Sequence, residues 1–318
     1  MKIAFVFPGQ GAQSVGMLDA WGSLSVVTAL IAHADQALAQ SPGFSGPALS
    51  EIISKGPAEI LGLTVNTQPA MLLAAIAALT AWQSAGGPAG ALVAGHSLGE
   101  YSALVAAGSL TLAEALPLVR LRAQAMQEAV PIGTGSMAAI LGLSDEAVQK
   151  VCLASGLGEV VEAVNFNAPA QVVIAGHTAA VTRACEGAKA AGAKRALPLA
   201  VSAPFHSSLL KPAGDRLRIA LDALPLRSPK IPLVNNVDVA ITAEPSEIKD
   251  ALVRQAYSPV RWVEVVQKMK AEGVDTLIEF GPGKVLTALV GRIEKEIKTY
   301  SVFDPTSLQT TLEAIRAT

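Results

Sequence analysis

The segment Gly95-His96-Ser97-Leu98-Gly99 places the strongest constraint on how this chain can fold. Its spacing, G-x-S-x-G, is typical of a nucleophile elbow, a sharp turn from a strand into a helix around one serine. Apolar residues precede it from 89 to 94, and small, helix-forming residues follow it from 102 to 107. Strand and helix then approach so closely that only glycine fits at the two outer positions, and Ser97 projects above the sheet. Because glycines also mark ordinary turns, the flanking strand and helix give the motif its weight.

Composition favours a soluble, cytoplasmic protein of one large domain or two smaller ones. The chain has 318 residues, of which 51% are hydrophobic and 16% charged, so the buried core can be large. A net charge of -2 argues against a nucleic-acid partner. Cys152 and Cys185 are the only cysteines, so we expect no disulfide framework and a reducing compartment. The longest apolar run, Pro69 to Trp82, is shorter than the ~20 residues that cross a bilayer, and the first run is too short for a signal peptide.

The order of predicted strands and helices indicates an α/β fold with an inserted subdomain. Residues 2–7 form a continuous apolar run, which is typical of a buried parallel strand, and a loop with two glycines follows it. Between residues 133 and 199 the predicted order is βαββαβ, which is the ferredoxin-like pattern. We therefore expect a larger unit of residues 1–132 and 200–318 and a ferredoxin-like subdomain of residues 133–199.

A serine is a weak nucleophile unless a base takes its proton, and the chain has four histidines. His96 adjoins Ser97, but the side chains of adjacent residues diverge at such a turn. His33 is predicted in an amphipathic helix and His177 at a helix start, where solvated or capping roles are common. His206 lies at a join between the predicted units, where pockets form, and is the best candidate base. A structural role is the alternative for His206.

A catalytic triad would also need an acid that orients the histidine. Few acids lie between Ser97 and His206, and Asp145 is predicted to start a helix in the subdomain. No convincing third member is present, so a backbone carbonyl is the alternative group that could orient the imidazole.

A helix predicted from Thr111 to Glu128 carries two arginines. Thr111 and Glu114 have the spacing of a capping box at its start. Arg120 and Arg122 point about 200° apart, since each residue of a helix turns by about 100°. Only one of them can therefore face a pocket, and an exposed position is the common case for an arginine.

Six segments in order along the chain carry a resemblance to a known family. They are Phe7–Gln13, Gly95–Tyr101, Arg122 with Gln124–Gln127, Asn165–Asn167, the segment that ends in His206, and Glu279–Gly283. Together they resemble the malonyl-CoA:acyl carrier protein transacylases of fatty acid synthesis, and they are similar to the acyltransferase domains of polyketide synthases. The resemblance implies an α/β-hydrolase-like core with a parallel sheet and the ferredoxin-like insertion. Without the resemblance, we interpret Asn165 and Asn167 as turn formers around Pro169.

The resemblance implies a role for each matching residue. Ser97 matches the nucleophile that becomes acylated, and His206 matches its base. The residue whose main-chain carbonyl orients that base matches Gln255, which agrees with the missing acid.

Three further residues match groups that bind the substrate in this family. Gln10 and Leu98 match the residues whose backbone N–H groups form the oxyanion hole. Arg122 matches the arginine that holds the malonyl carboxylate.

The implied reaction moves a malonyl group from malonyl-CoA to the phosphopantetheine thiol of acyl carrier protein through a malonyl-serine. We expect no metal, no bound cofactor, no nucleic acid, no membrane and a monomer. The alternatives are a serine esterase or thioesterase, an acyltransferase that loads a carrier protein in polyketide or malonate metabolism, and a non-catalytic subunit that binds carrier protein.

Overall fold

The computed structural model describes residues 1–41, 44–201 and 203–317. The strands of these residues are β1 (Ile3–Phe7), β2 (Leu92–Gly95), β3 (Gly135–Leu141), β4 (Val161–Ala168), β5 (Gln171–His177), β6 (Arg195–Pro198), β7 (Leu233–Val234), β8 (Thr276–Phe280) and β9 (Lys298–Val302). The α-helices are α1 (Ser25–Ala39), α2 (Leu49–Lys55), α3 (Ala58–Leu61), α4 (Thr64–Ser84), α5 (Gly99–Ala106), α6 (Leu112–Glu128), α7 (Asp145–Gly156), α8 (Thr178–Ala190), α9 (Lys211–Asp222), α10 (Pro245–Gln255), α11 (Trp262–Ala271), α12 (Val285–Ile293) and α13 (Pro305–Arg316).

The fold is mixed α/β with a parallel sheet and a separate antiparallel sheet. The parallel sheet has five strands in the order β7-β2-β1-β8-β9, and the antiparallel sheet has four in the order β4-β5-β3-β6. Every residue of β1, β2 and β8 is buried. Strands that are covered on both faces require continuous apolar runs, which is why the run at residues 2–7 predicted β1 correctly.

Helix α4 is the most deeply buried long helix and packs against α1, α5 and α6. It is the one helix of the described residues long and apolar enough to cross a membrane, but 89% of its apolar window lies inside the protein. The apolar run in the sequence starts at Pro69, whereas the helix begins earlier, at Thr64. Proline removes one backbone donor from the helix, and burial of the surrounding side chains outweighs that loss.

The predicted elbow is present between β2 and α5. Ser97 has a φ of 53°, in the left-handed region that costs a non-glycine residue energy. A Cβ on Gly95 would lie 1.9 Å from the carbonyl carbon of Gly99, and one on Gly99 would lie 1.9 Å from the carbonyl oxygen of Phe7. The two glycines therefore let the helix start against the sheet and raise the serine above its edge.

The antiparallel sheet comes from one continuous part of the chain. Its elements follow in the order β3, α7, β4, β5, α8 and β6, which is the βαββαβ order that the sequence predicted. Strand β6 ends at Pro198. Apolar residues of α7, α8 and the sheet form a hydrophobic cluster of their own.

We predict that Gly99→Ala destabilises the protein by about 3 kcal/mol or more, because the new methyl group has no space beside Phe7. The free energy of unfolding in urea measures this. Gly291→Ala is the matched control, since a Cβ there meets nothing within 4 Å and alanine favours an exposed helix by about 1 kcal/mol. Equal stability of Gly99→Ala and the unmodified protein would contradict the steric account of the elbow.

Candidate active site

Ser97 lies at the carboxyl edge of the parallel sheet, in a cavity of about 140 Å³. Residues of the antiparallel sheet and of segments that follow β1 and β2 are among those that line this cavity: Gln10, His96, Ser97, Arg122, Met126, Met137, Asn165, Leu199, Val201, Phe205 and His206. The elbow supplies the serine, and the other polar groups come from segments distant in the sequence. The cavity is therefore the place where the nucleophile, a base and a cation meet.

Ser97 and His206 are in direct contact. The Oγ of Ser97 lies 2.7 Å from Nε2 of His206, whose Nδ1 lies 2.8 Å from the carbonyl oxygen of Gln255. A carbonyl can only accept, so Nδ1 carries the proton and Nε2 accepts the hydrogen bond from the serine. Burial, together with the positive charge of Arg122, lowers the pKa of His206 to about 3. The imidazole is therefore neutral near pH 7 and able to take the serine proton.

Arg122 is a buried cation that has no carboxylate partner among the described residues. Its side chain is 1% exposed. Nη1 donates to Oε1 of Gln68 (2.8 Å), and Nη2 donates to Oγ of Ser97 (3.1 Å) and to Oε1 of Gln255 (2.9 Å). The guanidinium also lies 5.3 Å from the ring centre of Tyr101. All these partners are neutral, and buried Nε makes no hydrogen bond within the described residues.

The side chain of Gln255 joins the nucleophile to Arg122. Besides accepting from Arg122, it donates through Nε2 to the carbonyl oxygen of Ser97 (3.0 Å) and to Oε2 of Glu100 (2.8 Å). Burial raises the pKa of Glu100 to about 7. The sequence assigned Gln255 only a carbonyl, whereas its amide also holds the backbone of the elbow.

Asn236 holds the other side of the elbow and was missed by the sequence analysis. Its Oδ1 accepts from the N–H of Ser97 (2.7 Å), and its Nδ2 donates to the carbonyl oxygen of Gly95 (2.7 Å). The N–H of Asn236 donates to Oε2 of Glu100 (3.0 Å). A signal was available, because Asn236 follows β7, and β7 pairs in parallel with β2. Polar residues after neighbouring parallel strands lie at the same edge of a sheet.

The two predicted oxyanion donors flank the serine. Gln10 lies in the loop after β1 and lines the cavity, and Leu98 follows Ser97 directly. Among the described residues, no group accepts a hydrogen bond from the N–H of Gln10 or of Leu98. The side chain of Gln10 is engaged with Thr64 and Gln68. Both backbone N–H groups therefore have no hydrogen-bond partner within the described residues.

The interpretation of Asn165 and Asn167 as turn formers is wrong, because both lie in β4. Asn165 is buried and lines the cavity. Asn167 Oδ1 lies 2.7 Å from Nε2 of His96, which turns the His96 ring away from the serine hydroxyl, as expected. For Asn165, pairing with β5 and with Val260 overrides the local preference of Asn for turns, whereas Asn167 lies at a register shift of the ladder.

Arg120 and Arg122 face opposite surroundings, as the helical geometry predicted. Arg120 lies 4.7 Å from the ring centre of Phe44, outside the cavity, whereas Arg122 points into it. The capping box of Thr111 and Glu114 at the start of α6 is also confirmed.

Comparisons with known proteins relate this geometry to acyltransferases. The family described as acyl transferase domain matches residues 4–307. The malonyl CoA-acyl carrier protein transacylase of Escherichia coli (strain K12) is 50% identical over 313 residues, which cover 98% of this chain and 99% of that protein. An acyl-carrier-protein S-malonyltransferase from Burkholderia pseudomallei 1710b, known from its crystal structure, has 59% sequence identity and a TM-score of 0.95, over 98% of this chain and 100% of that one. A malonyl-transacylase solved in complex with its type II PKS acyl-carrier protein is 48% identical with a TM-score of 0.95, over 99% of this chain and 100% of that one.

We predict that the reactivity of Ser97 stays constant as the pH falls through 6.5, the ordinary pKa of histidine. The lowered pKa of His206 keeps the imidazole unprotonated, so its loss as a base begins only at much lower pH. The labelling rate of Ser97 by a fluorophosphonate, measured against pH, tests this. Glu100→Gln is the control, because Glu100 titrates near pH 7. If the labelling rate declines near pH 6.5 in the unmodified protein and also in Glu100→Gln, the result would contradict the lowered pKa of His206.

We predict that Asn236→Ala slows fluorophosphonate labelling of Ser97 by about 10-fold or more, since it releases the strained elbow. It also leaves two buried backbone groups unpaired, at about 1–3 kcal/mol each. Asn235→Ala is the matched control, because the Asn235 side chain accepts from the N–H of Asp238 and not from the elbow. If both variants label equally fast, Asn236 does not position the serine.

Proposed function

The chain belongs to the acyl transferase domain family, and we propose that it transfers the malonyl group of malonyl-CoA to the phosphopantetheine thiol of acyl carrier protein in fatty acid synthesis. The observation that carries this proposal is the buried Arg122, which has a serine–histidine pair beside it and no carboxylate partner in the described residues. A substrate with its own carboxylate would supply the missing anion.

In the acylation step, Ser97 Oγ attacks the thioester carbonyl of malonyl-CoA. His206 Nε2 accepts the hydroxyl proton, and the main-chain carbonyl of Gln255 stabilises the imidazolium that forms. The N–H groups of Gln10 and Leu98 bind the oxyanion of the tetrahedral intermediate, and one such donor contributes about 10²–10³ to the rate. The C–S bond then breaks, and His206 returns the proton to the CoA sulfur.

Arg122 selects the acyl group by binding its free carboxylate. A guanidinium presents parallel N–H donors that match a carboxylate, and the interaction is strong where water is excluded. Gln68 and Gln255 hold the guanidinium, and its hydrogen bond to Ser97 places it at the cavity. The buried charge of Arg122 gains a carboxylate partner only when such a substrate binds. An acyl group with a free carboxylate is therefore preferred over one without.

The second step transfers malonyl from Ser97 to the carrier protein. The phosphopantetheine thiol attacks the malonyl-serine carbonyl and gives its proton to His206. The tetrahedral intermediate collapses, and the Ser97 oxygen leaves with that proton, which restores the enzyme. No metal or bound cofactor enters either step. Acyl carrier protein is the partner that the names of the relatives support.

Two other activities compete with this proposal. A serine esterase or thioesterase would release the acyl group to water, and it has no use for a cation beside the nucleophile. Loading of carrier proteins in polyketide or malonate metabolism uses the same chemistry, and the related malonyl-transacylase that was solved with a type II PKS carrier protein represents that use. Arg122 favours a malonyl substrate in either pathway, and identity to the E. coli transacylase favours fatty acid synthesis.

We propose that residues 1–132 and 200–318 form an α/β-hydrolase-like core and that residues 133–199 form an inserted ferredoxin-like subdomain. The strand–turn–helix around Ser97 in a parallel sheet supports the first assignment. The βαββαβ element order and the antiparallel pairing of residues 133–199 support the second. We also propose that the protein acts as a monomer in the cytoplasm, where its two buried cysteines stay unpaired.

We predict that malonyl-CoA without acceptor adds one malonyl group to the protein, as weighed by intact-mass spectrometry. Ser97→Ala removes the nucleophile and should abolish the adduct. Ser228→Ala, which changes an exposed serine outside the site, should retain it. An adduct that survives Ser97→Ala, or no adduct on the unmodified protein, would overturn the mechanism.

We predict that Arg122→Ala removes the preference for malonyl-CoA over acetyl-CoA, with a loss of about 10- to 150-fold in kcat/KM for malonyl-CoA. The expected loss corresponds to about 1.5–3 kcal/mol for a charged hydrogen bond. Arg120→Ala is the matched control on the same helix, and its preference should be unchanged. An Arg122→Ala enzyme that still prefers malonyl-CoA would favour a hydrolase or another carboxylate site.

A further inference from the structure

Strand β4 of the antiparallel sheet contacts the chain segments that carry Ser97, His206 and Gln255. The first contact is the hydrogen bond of Asn167 with His96, the residue before the nucleophile. A strand outside the parallel sheet is thereby tied to the elbow.

The second contact is a pair of backbone hydrogen bonds with Val260, which follows the end of α10. The N–H of Val260 donates to the carbonyl oxygen of Val164 (2.8 Å), and the N–H of Phe166 donates to the carbonyl oxygen of Val260 (3.0 Å). Helix α10 ends at Gln255, whose carbonyl holds the imidazole. The strand therefore also fixes the segment that orients the histidine.

The third contact is made by Glu162 and reaches the turn of the histidine itself. Its Oε2 accepts from the N–H of Ser208 (2.7 Å), and its Oε1 accepts from the hydroxyl of Ser208 (2.8 Å). Hydrogen bonds to a carboxylate are about twice as strong as neutral ones. No described lysine, arginine or histidine forms an ion pair with Glu162.

The turn that Glu162 holds is strained. His206 has a φ of 67°, in the left-handed region that a histidine adopts only when its surroundings impose it. Within the turn, Ser207 Oγ donates to the carbonyl oxygen of Pro204 (2.7 Å), and beyond it Ser208 is fastened to β4. Release of Ser208 would let the turn relax and move Nε2 away from Ser97.

We propose that Glu162 is a positioning residue for the general base. Its carboxylate fastens the strained turn to β4, so that the imidazole keeps its 2.7 Å contact with the nucleophile. This inference rests on the proposed function for the role of His206 as base. The antiparallel sheet would therefore affect the rate at which Ser97 is acylated and not the affinity for substrate.

The test compares Glu162→Ala with the unmodified enzyme in two rates, malonylation of Ser97 and fluorophosphonate labelling of Ser97. We expect both rates to fall by about 10- to 100-fold, because a misplaced reacting group slows a reaction by about this factor. KM for malonyl-CoA should stay within about twofold, since Glu162 does not line the cavity. Glu162→Gln keeps an oxygen that can accept from the Ser208 N–H and should recover most of the rate.

Glu159→Ala is the matched control, because Glu159 lies next to β4 and pairs with Arg183 at the surface. Its rates should equal those of the unmodified enzyme. Unchanged rates in Glu162→Ala, an equal loss in Glu159→Ala, or a loss confined to KM would overturn the proposal. If Glu162→Ala does not fold, Ser208→Ala decides, since it removes one of the two hydrogen bonds, and an unchanged labelling rate there would overturn the proposal as well.

The two readouts separate this inference from the proposed function. If the unmodified protein is not malonylated but Glu162→Ala still slows fluorophosphonate labelling, the proposed function fails and the positioning role stands. If the unmodified protein is malonylated and Glu162→Ala reacts equally fast, only the positioning role fails.

Discussion

The site depends on one unusual constraint, a guanidinium buried without a carboxylate partner in the described residues. Burying a charge is costly unless hydrogen bonds and a counter-charge compensate it. Around Arg122, the amides of Gln68 and Gln255 and the ring of Tyr101 provide hydrogen bonds and a π face, while the carboxylate of Glu100 lies beyond Gln255 and forms no ion pair with the guanidinium. The cation also donates to the nucleophile and helps to keep the base unprotonated. A single charge thus acts on both the serine and the histidine, and we propose that it also binds the carboxylate of the substrate.

Strained backbone is the second feature on which the chemistry rests. Ser97 and His206 both have positive φ values, and both are held by side chains from distant segments. Asn236 and Gln255 bind the two sides of the elbow, whereas Glu162 binds the turn of the histidine. Such conformations persist only where the surrounding structure imposes them. The core and the antiparallel sheet therefore both contribute to the 2.7 Å contact between nucleophile and base.

Sequence patterns predicted those parts of the fold that depend on contacts between residues close together in the chain. The steric demand at Gly95 and Gly99 located the elbow, and a capping box located the start of α6. The position of His206 at a join between predicted units made it the candidate base, the resemblance singled out Arg122, and the structure places both beside Ser97.

Long-range contacts explain what the sequence did not reveal. Asn236 binds the backbone of a residue 139 positions earlier in the chain, and no local pattern encodes that pairing. Asn165 and Asn167 are residue types common in turns, yet both lie in β4, where Asn165 pairs with the neighbouring strand and with Val260. Strand β9 carries no motif and is fixed by pairing with β8, whereas α13 begins with a capping box of Asp304 and Ser307 that the sequence analysis did not use. The most direct measurement of the central claim is a crystal structure of the protein after reaction with malonyl-CoA. The account predicts malonyl on Ser97 Oγ with its free carboxylate within hydrogen-bond distance of the Arg122 guanidinium, whereas a carboxylate directed to solvent, away from Arg122, would contradict it.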